Sequence, residues 1–261
     1  MIFVTGDCHA DFRKFNTERF PRQKEMTKDD YVIICGDFGG VWSFTGETPE
    51  EKYWLDWLNN KPFTTLFVDG NHENFDRLFS NEFPEVDFGG SKAKKIRDSV
   101  LYLQRGNIYE IDGSKILALG GARSHDIDDG IINISDYDNE NDLKKDLITR
   151  FKRGDLFRIN HVSWWVDEQP NKEKQEEILN KLKNNNQRID FVISHCAPRS
   201  IVVPFLHGTI DPEDITEPFL EEVKNNIEFG HWYFGHYHLN VNPMHCDDKF
   251  TLLYDRIIQI K

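Results

Sequence analysis

The chain has 261 residues, 38% of them hydrophobic and 13% aromatic, and a formal net charge of −13. This content can form a sizeable core, so disorder is not expected, and no apolar run reaches the roughly 18 residues that a membrane span needs. The acidic balance disfavours nonspecific binding to a nucleic-acid backbone, which requires clustered Lys and Arg.

In the first half of the chain, apolar runs repeatedly end in Asp, Asn or His. Residues 2–5 precede Asp7 and His9, residues 31–35 precede Asp37, and residues 66–68 precede Asn71 and His72. Apolar, β-branched runs of this length predict buried strands. Residues 11–20 and 75–79 are predicted to be helical.

A longer helix is predicted to begin at Thr48. Thr48 is a suitable N-cap, Pro49 takes the first helical position and Glu51 the third, which is a capping-box pattern. Leu55 and Leu58 follow at helical spacing together with Trp54 and Trp57, and such a stripe is typical of a core-facing side.

In the second half, residues 108–111 and 115–119 flank Asp112-Gly113 and predict a β-hairpin. Residues 124–170 are acidic and irregular, and we interpret them as an inserted surface segment within a single domain covering residues 1–261. A helix over 171–183 and a strand over 189–194 lead to His195. A helix beginning near Thr216 and a strand over 232–234 lead to His236 and His238, and residues 250–260 look like a hairpin-like strand pair.

Strands that alternate with helices, together with late hairpins, predict an α/β fold: a core of two packed sheets, a β-sandwich, flanked by helices. In open α/β sheets, ligands sit beyond the carboxyl ends of the strands, where the polar residues described above lie. The four cysteines form no CxxC pair, so we expect reduced thiols in a cytoplasmic protein, and Met1 opens into a strand rather than a signal peptide.

Taken as an ordered set, five sequence blocks resemble the calcineurin-like metallophosphoesterases, and they span nearly the whole chain. The blocks are Asp7-Cys8-His9, Gly36-Asp37, Gly70-Asn71-His72-Glu73, His195 and Gly235-His236-Tyr237-His238. The resemblance implies two metal ions. Asp7, His9 and His238 would hold one ion, Asn71, His195 and His236 the other, and Asp37 would bridge them.

The implied donors are carboxylate and amide oxygens and imidazole nitrogens, which suit manganese, iron or zinc better than copper(I) or calcium. In this family two such ions activate a bridging water for in-line displacement at phosphorus. His72 corresponds to the family's non-ligand histidine, which protonates the leaving oxygen or stabilises the transition state. Asp37 would belong to the catalytic centre as well.

Each of these residues has a simpler explanation when it is considered alone. An Asp after a strand is more often a turn former or a helix cap, and His195 could be a core histidine with satisfied hydrogen bonds. His236 and His238 alternate, so they would face opposite sides of a strand, and only a turn brings both to one site. The ordered set favours the metal site.

Three residues are candidates for contacting the substrate: Arg199 and Arg123 as phosphate clamps, and Trp165 as a stacking surface for a nucleobase. Surface ion pairs and core packing are the alternatives. His125, near Asp126 and Asp128, fits a polar loop better than a further metal site.

Three functions remain open. The first is a phosphomonoesterase acting on a phosphorylated small molecule, a nucleotide or a phosphoprotein. The second is a phosphodiesterase or nucleotide pyrophosphatase. The third is a metal-binding interaction scaffold without catalysis.

Overall fold

The structure is a computed structural model that describes residues 1–184, 188–206 and 210–261. In chain order its strands are β1 (Ile2–Thr5), β2 (Tyr31–Cys35), β3 (Thr64–Val68), β4 (Glu85–Phe88), β5 (Ser91–Arg97), β6 (Val100–Leu103), β7 (Asn107–Ile111), β8 (Ser114–Leu119), β9 (Ile131–Ile132), β10 (Arg158–Ile159), β11 (Ile189–Ser194), β12 (Phe229–Phe234), β13 (Phe250–Leu252) and β14 (Ile257–Gln259). The α-helices are α1 (Pro49–Asn59), α2 (Phe75–Phe79), α3 (Glu140–Arg153), α4 (Lys172–Lys183), α5 (Arg199–Phe205) and α6 (Thr216–Asn226).

Two larger sheets form the centre of the fold. The first has the order β14-β1-β2-β3-β6-β5-β4, and the second has the order β13-β12-β11-β8-β7. Strands β1, β2, β3 and β6 are parallel, as are β13, β12, β11 and β8, whereas the outer strands β14, β5, β4 and β7 pair antiparallel. The carboxyl ends of the parallel strands carry the predicted site residues.

Three apolar clusters define the layers. Residues that alternate along both sheets, such as Val4, Ile33 and Ile193, meet in one cluster between the sheets. The opposite face of the first sheet packs on α1 through Leu55 and Leu58, as the sequence predicted. The opposite face of the second sheet packs on α4, α5 and α6. The predicted α/β sandwich of two sheets flanked by helices is therefore confirmed.

Local sequence signals explain several element boundaries. Helix α1 begins with the predicted capping box, in which the Thr48 side chain accepts a hydrogen bond from the Glu51 N–H and Glu51 accepts one from the Thr48 N–H. The β7–β8 hairpin turns at Asp112 and Gly113, whose φ angles of 50° and 69° are those that such a tight turn requires. Asn171 caps α4 through its side chain.

Two expectations about elements were wrong. Residues 11–20 form only a short 3₁₀ turn (Phe12–Phe15), followed by a second one (Pro21–Glu25), rather than one helix. Strands β13 and β14 do not pair with each other, because one joins the second sheet and the other the first. The strands β4, β5 and β6 lie in a stretch for which no elements were predicted.

The segment 124–170 lies mostly outside the two sheets. It contains the small β9–β10 sheet, helix α3 and 3₁₀ turns at Ile134–Asp136 and Val166–Glu168. Helix α3 has no buried residue, but the base of the segment is buried, including Ser124, Trp165 and Glu168. The four cysteines are free thiols. Within the described ranges, no helix is long and apolar enough to cross a membrane.

Candidate metal centre

The loops after β1, β2, β3, β11 and β12 converge where the two sheets meet. Contacts between the sheets hold them together: His195 Nδ1 lies 2.8 Å from the Cys35 carbonyl oxygen, and the His236 N–H donates to Asp7 Oδ1 at 3.0 Å. Asp7 and Asp37 are almost completely buried, and so is His195. The first sheet therefore delivers the carboxylates and His9 to the site, and the second sheet delivers the other imidazoles.

The polar residues turn towards the site through unusual backbone conformations. Asp37, His9, His236 and His238 have φ angles of 45°, 46°, 73° and 49°, in the left-handed region that non-glycine residues rarely adopt. Such residues cost about 1–3 kcal/mol each and concentrate at functional sites. Because β12 ends at Phe234, the expected turn brings both His236 and His238 to one place.

The first group of donors consists of Asp7, His9, Asp37 and His238, whose ligand atoms all lie within 4.8 Å of one another. His9 Nε2 is 2.9 Å from His238 Nε2 and 3.6 Å from both Asp7 Oδ2 and Asp37 Oδ2. His238 Nε2 is 3.2 Å from Asp7 Oδ2. Two imidazoles and two carboxylates thus point at one small volume.

The second group lies on the other side of Asp37. His195 Nε2 is 3.2 Å from Asp37 Oδ1, 3.1 Å from Asn71 Oδ1 and 3.2 Å from His236 Nδ1. Asp37 therefore presents one carboxylate oxygen to each group. All seven residues that the resemblance implied as ligands come together in the predicted division.

The residues present fit a bound cation. Asp7 Oδ2 is buried and accepts no hydrogen bond from the described residues, although His238 Nε2 lies 3.2 Å away. A buried carboxylate oxygen is costly unless a positive charge neutralises it. The backbone also leaves room, because a side chain at Gly70 would collide with the Asp37 carboxylate and one at Gly235 with that of Asp7. Oxygen and imidazole donors without a thiolate suit a borderline divalent ion.

The electrostatics of the site favour positive charge. Burial opposes ionisation of Asp7 and Asp37, yet His195 holds the pKa of both carboxyls below their usual range. Burial alone would lower the pKa of His195, but Asp37 and Asp7 instead raise it to about 10. A buried field that stabilises an imidazolium would equally stabilise a metal ion.

His72 stands beside the donors. Its backbone N–H donates to Asp37 Oδ1 at 2.8 Å, and its ring contacts His9 edge-on at 4.9 Å between centroids. The Trp42 ring stacks on His72, with centroids 5.8 Å apart and an interplanar angle of 27°. Burial lowers the pKa of His72, although Asp37 opposes that shift. The imidazole is thus positioned at the edge of the metal-binding cluster.

Sequence reasoning missed two residues that support the loops. Glu73 is completely buried, and its carboxylate accepts from the backbone N–H groups of Phe38 and Gly39 at 2.7 and 3.3 Å. Lys14 Nζ donates to the carbonyl oxygens of Gly6, Asp7 and Tyr254 at 3.1, 2.7 and 2.7 Å. Glu73 therefore supports the Asp37 turn, and Lys14 supports the loop that carries Asp7. The position of Glu73 in the third block was the only available signal.

A second supporting network reaches the site from the base of the 124–170 segment. Ser124 donates its backbone N–H and its hydroxyl to Glu168, at 2.9 and 2.6 Å, and Asn71 Nδ2 donates to Ser124 Oγ at 3.3 Å. Burial raises the pKa of Glu168 to about 7. Nearby, Asp69 forms a buried ion pair with Arg105. The segment therefore contacts a predicted metal ligand.

In the structure, both arginines that were proposed to contact the substrate lie beside acidic residues. Arg123 is held by Asp211 at 2.6 Å and Glu213 at 2.5 Å, and Arg199 lies 3.6 Å from Glu217. The side chains that sequence reasoning considered as phosphate clamps thus already face carboxylates.

Trp165 is completely buried, so it presents no face to a ligand. Its indole N–H donates to Asp76 at 2.7 Å, and its ring packs edge-on against Trp42 at 5.6 Å. Trp165 therefore supports Trp42, and Trp42 in turn contacts His72 at the site. His125, which the sequence placed in a polar loop, comes to the site, with Nε2 2.7 Å from His236 Nε2.

Comparisons with known proteins agree with this geometry. The family model described as calcineurin-like phosphoesterase matches residues 1–240. Lariat debranching enzyme A of Xenopus laevis is 24% identical over 263 residues, which cover 91% of this chain and 42% of the relative. Lariat debranching enzyme of Schizosaccharomyces pombe is 27% identical over 259 residues, which cover 91% and 48%. This chain therefore spans less than half the length of these relatives.

Among solved structures, phosphopantetheinyl hydrolase from Mycobacterium tuberculosis superposes with a TM-score of 0.43 and 14% sequence identity. The superposition covers 97% of this chain and 89% of that chain.

Proposed function

This chain belongs to the calcineurin-like phosphoesterase family, and we propose that it hydrolyses phosphodiesters in a metal-dependent reaction. The observation that carries the proposal is the convergence of the two donor groups on either side of the Asp37 carboxylate. Asp7, His9 and His238 would hold one ion, Asn71, His195 and His236 the second, and Asp37 would contact both. Two bound divalent ions would supply activation of water and neutralisation of charge on the phosphoryl group.

The protein's own groups have separate tasks around the ions. Asp37 links the two donor groups, because one of its oxygens lies 3.6 Å from His9 and the other lies 3.2 Å from His195. His72 lies next to His9 but is not needed as a ligand, so its imidazole is available to hold or donate a proton to the departing oxygen. The stacked Trp42 shields one face of His72 from water.

The charges around the site support a diester over a monoester. A phosphodiester carries one negative charge at neutral pH, whereas a monoester carries nearly two. The loop arginines that could neutralise the second charge are already committed, since Arg123 faces two carboxylates, Arg158 pairs with Asp126 and Arg199 faces Glu217. The name of the relatives, lariat debranching enzyme, also supports testing a branched diester.

A phosphomonoesterase, which the sequence favoured, is the second candidate. Two divalent ions would carry four positive charges against the two carboxylates of Asp7 and Asp37, and the resulting positive centre suits a dianion. Manganese, iron and zinc are the metals to test, and a cytoplasmic location stays a prediction.

The test compares bis(4-nitrophenyl) phosphate with 4-nitrophenyl phosphate, which share the leaving group and differ only in the second ester. We expect a higher kcat/KM for the diester in protein loaded with manganese, zinc or iron, and no turnover by Asp37→Asn prepared in parallel. A preference for the monoester would select the second candidate. A metal-loaded, folded protein that turns over neither ester would be a binding scaffold, and the proposal would be wrong.

A further inference from the structure

A cavity of about 390 Å³ opens directly beside the first donor group. His9 and His72 form its boundary with the metal centre, and Phe12, Trp42, Trp54 and Glu50 are among its other walls. Its volume lies in the usual range for sites that bind small molecules or parts of them. Because His72 stands at the boundary, a group in this cavity would be attached to the oxygen that leaves phosphorus next to His72.

The aromatic walls are held in place before any ligand binds. Trp42 is braced edge-on by Trp165, whose own indole N–H is bound by Asp76 at 2.7 Å. Trp54 contacts Trp57 edge-on at 5.4 Å and Phe12 at 6.0 Å. Preorganised aromatic rings favour a flat, unsaturated ligand, because stacking then costs little conformational entropy.

The charges in the cavity exclude a second anionic group. Of the described residues that line it, none is Lys or Arg. The carboxylate of Glu51 accepts hydrogen bonds from the N–H groups of Trp42 and Ser43, at 2.7 and 2.6 Å, and forms an ion pair with Arg77. Glu50 is exposed, and its side chain has no hydrogen bond or ion pair with the described residues. The Glu50 carboxylate is thus available to accept hydrogen bonds at the rim of a largely aromatic cavity whose described lining residues include no Lys or Arg.

We propose that this cavity binds the nucleobase of the leaving alcohol, so that the preferred esters release a nucleoside with N–H donors on its base. The aromatic walls favour a flat ring, and the Glu50 carboxylate can accept hydrogen bonds from the amino group of a base. The lack of Lys and Arg among the described lining residues favours a group without negative charge. The role of the nucleoside as a leaving group rests on the proposed phosphoester hydrolysis. The binding of a nucleoside to the cavity can be measured without turnover.

The first experiment measures nucleoside binding to the metal-loaded protein by calorimetry, with adenosine and ribose as probes. We expect adenosine to bind and ribose not to bind. Trp54→Leu should weaken adenosine binding about 5- to 150-fold, the usual range for losing one base-stacking aromatic ring. Trp57→Leu is the comparison variant. Trp57 packs against the same apolar cluster and contacts Trp54 edge-on but does not line the cavity, so its loss should weaken adenosine binding less than the loss of Trp54 does.

The second experiment tests the role of Glu50 with purine riboside, which is adenosine without the amino group. Adenosine should bind about 2- to 10-fold more tightly, as one hydrogen bond provides, and Glu50→Ala should bring this ratio close to one. Adenosine should also inhibit hydrolysis of bis(4-nitrophenyl) phosphate competitively, since both occupy the space beside His72.

Equal losses in Trp54→Leu and Trp57→Leu, binding of ribose as tight as that of adenosine, or noncompetitive inhibition would each overturn the inference. Adenosine binding that depends on Trp54 in a metal-loaded protein without any esterase activity would instead refute the proposed function and leave the cavity a nucleoside site. The two proposals can therefore fail separately.

Discussion

Replacing Glu168 by Gln should weaken the metal site on the Asn71 side while leaving the site at His9 and His238 intact. An ionised Glu168 can only accept hydrogen bonds, so the Ser124 hydroxyl must donate to it at 2.6 Å. The Ser124 oxygen is then free to accept from Asn71 Nδ2 at 3.3 Å, which turns Asn71 Oδ1 towards His195 and the donor group. The carboxylate thus determines which atom of the Asn71 amide faces the metal.

Glutamine reverses this chain of donors. Its carbonyl oxygen must stay with the Ser124 backbone N–H, so its NH₂ group meets the Ser124 oxygen. The hydroxyl hydrogen then has lost its acceptor, and it regains one only if the Asn71 amide turns its oxygen to Ser124 and its NH₂ towards the metal site. Either outcome weakens the support of Asn71. Removing such a supporting contact typically costs 10- to 100-fold in metal affinity, or about 1.4–2.7 kcal/mol.

The assay is a metal titration of folded protein at pH 8, above the value of about 7 to which burial raises the pKa of Glu168, so that the carboxylate is ionised. The expected result is one site with unchanged affinity and one weakened about 10- to 100-fold. Asp167→Asn removes the same charge from the neighbouring residue and should leave both affinities unchanged. Two unchanged sites in folded Glu168→Gln would refute the reasoning about the amide.

Three further predictions follow from the site and from a buried carboxyl. Asp37→Asn should lose both ions, because its two oxygens face different donor groups, whereas His238→Ala should weaken one; elemental analysis of the purified variants measures this. His72→Gln should keep its metals but lose activity on an alkyl ester, by about 10²–10⁴-fold, and far less on a nitrophenyl ester that leaves as a stable anion, which kcat/KM for both esters measures. Burial and Asp214 raise the pKa of Glu217 to about 7 from 4.5, so the folded state binds more protons across that window and the free energy of unfolding falls as pH rises through it. Glu217→Gln removes this loss, and its Tm relative to wild type should be higher at pH 8 than at pH 5.

Each of these expectations can fail on its own. Two tightly bound ions in Asp37→Asn would contradict a bridging carboxylate. Equal losses on both esters in His72→Gln, with metals retained, would point to electrostatic stabilisation of the phosphoryl group, and loss of metal would make His72 a ligand. A Tm difference for Glu217→Gln that does not change with pH would show that its carboxyl has an ordinary pKa.

Structural features that depend only on residues close together in the sequence could be predicted from the sequence. The apolar runs, the capping box at Thr48, the hairpin turn at Asp112 and the polar residue after each strand are local patterns, and each was found where expected. The convergence of these polar residues could be predicted for the same reason, whereas their division into two sets of metal ligands came from the family resemblance. Each donor follows a buried parallel strand, and parallel strands end at the same edge of a sheet.

Contacts between distant segments depended on the tertiary structure. Strands β13 and β14 are adjacent in the chain, yet they pair in different sheets because each finds its partner far away in sequence. Arg123 is paired with acidic residues 88 and 90 positions away, and Glu168 supports Asn71 through Ser124. Burial, ion pairing and the direction of an amide follow from which surfaces pack together, and no local pattern of residues contains that information.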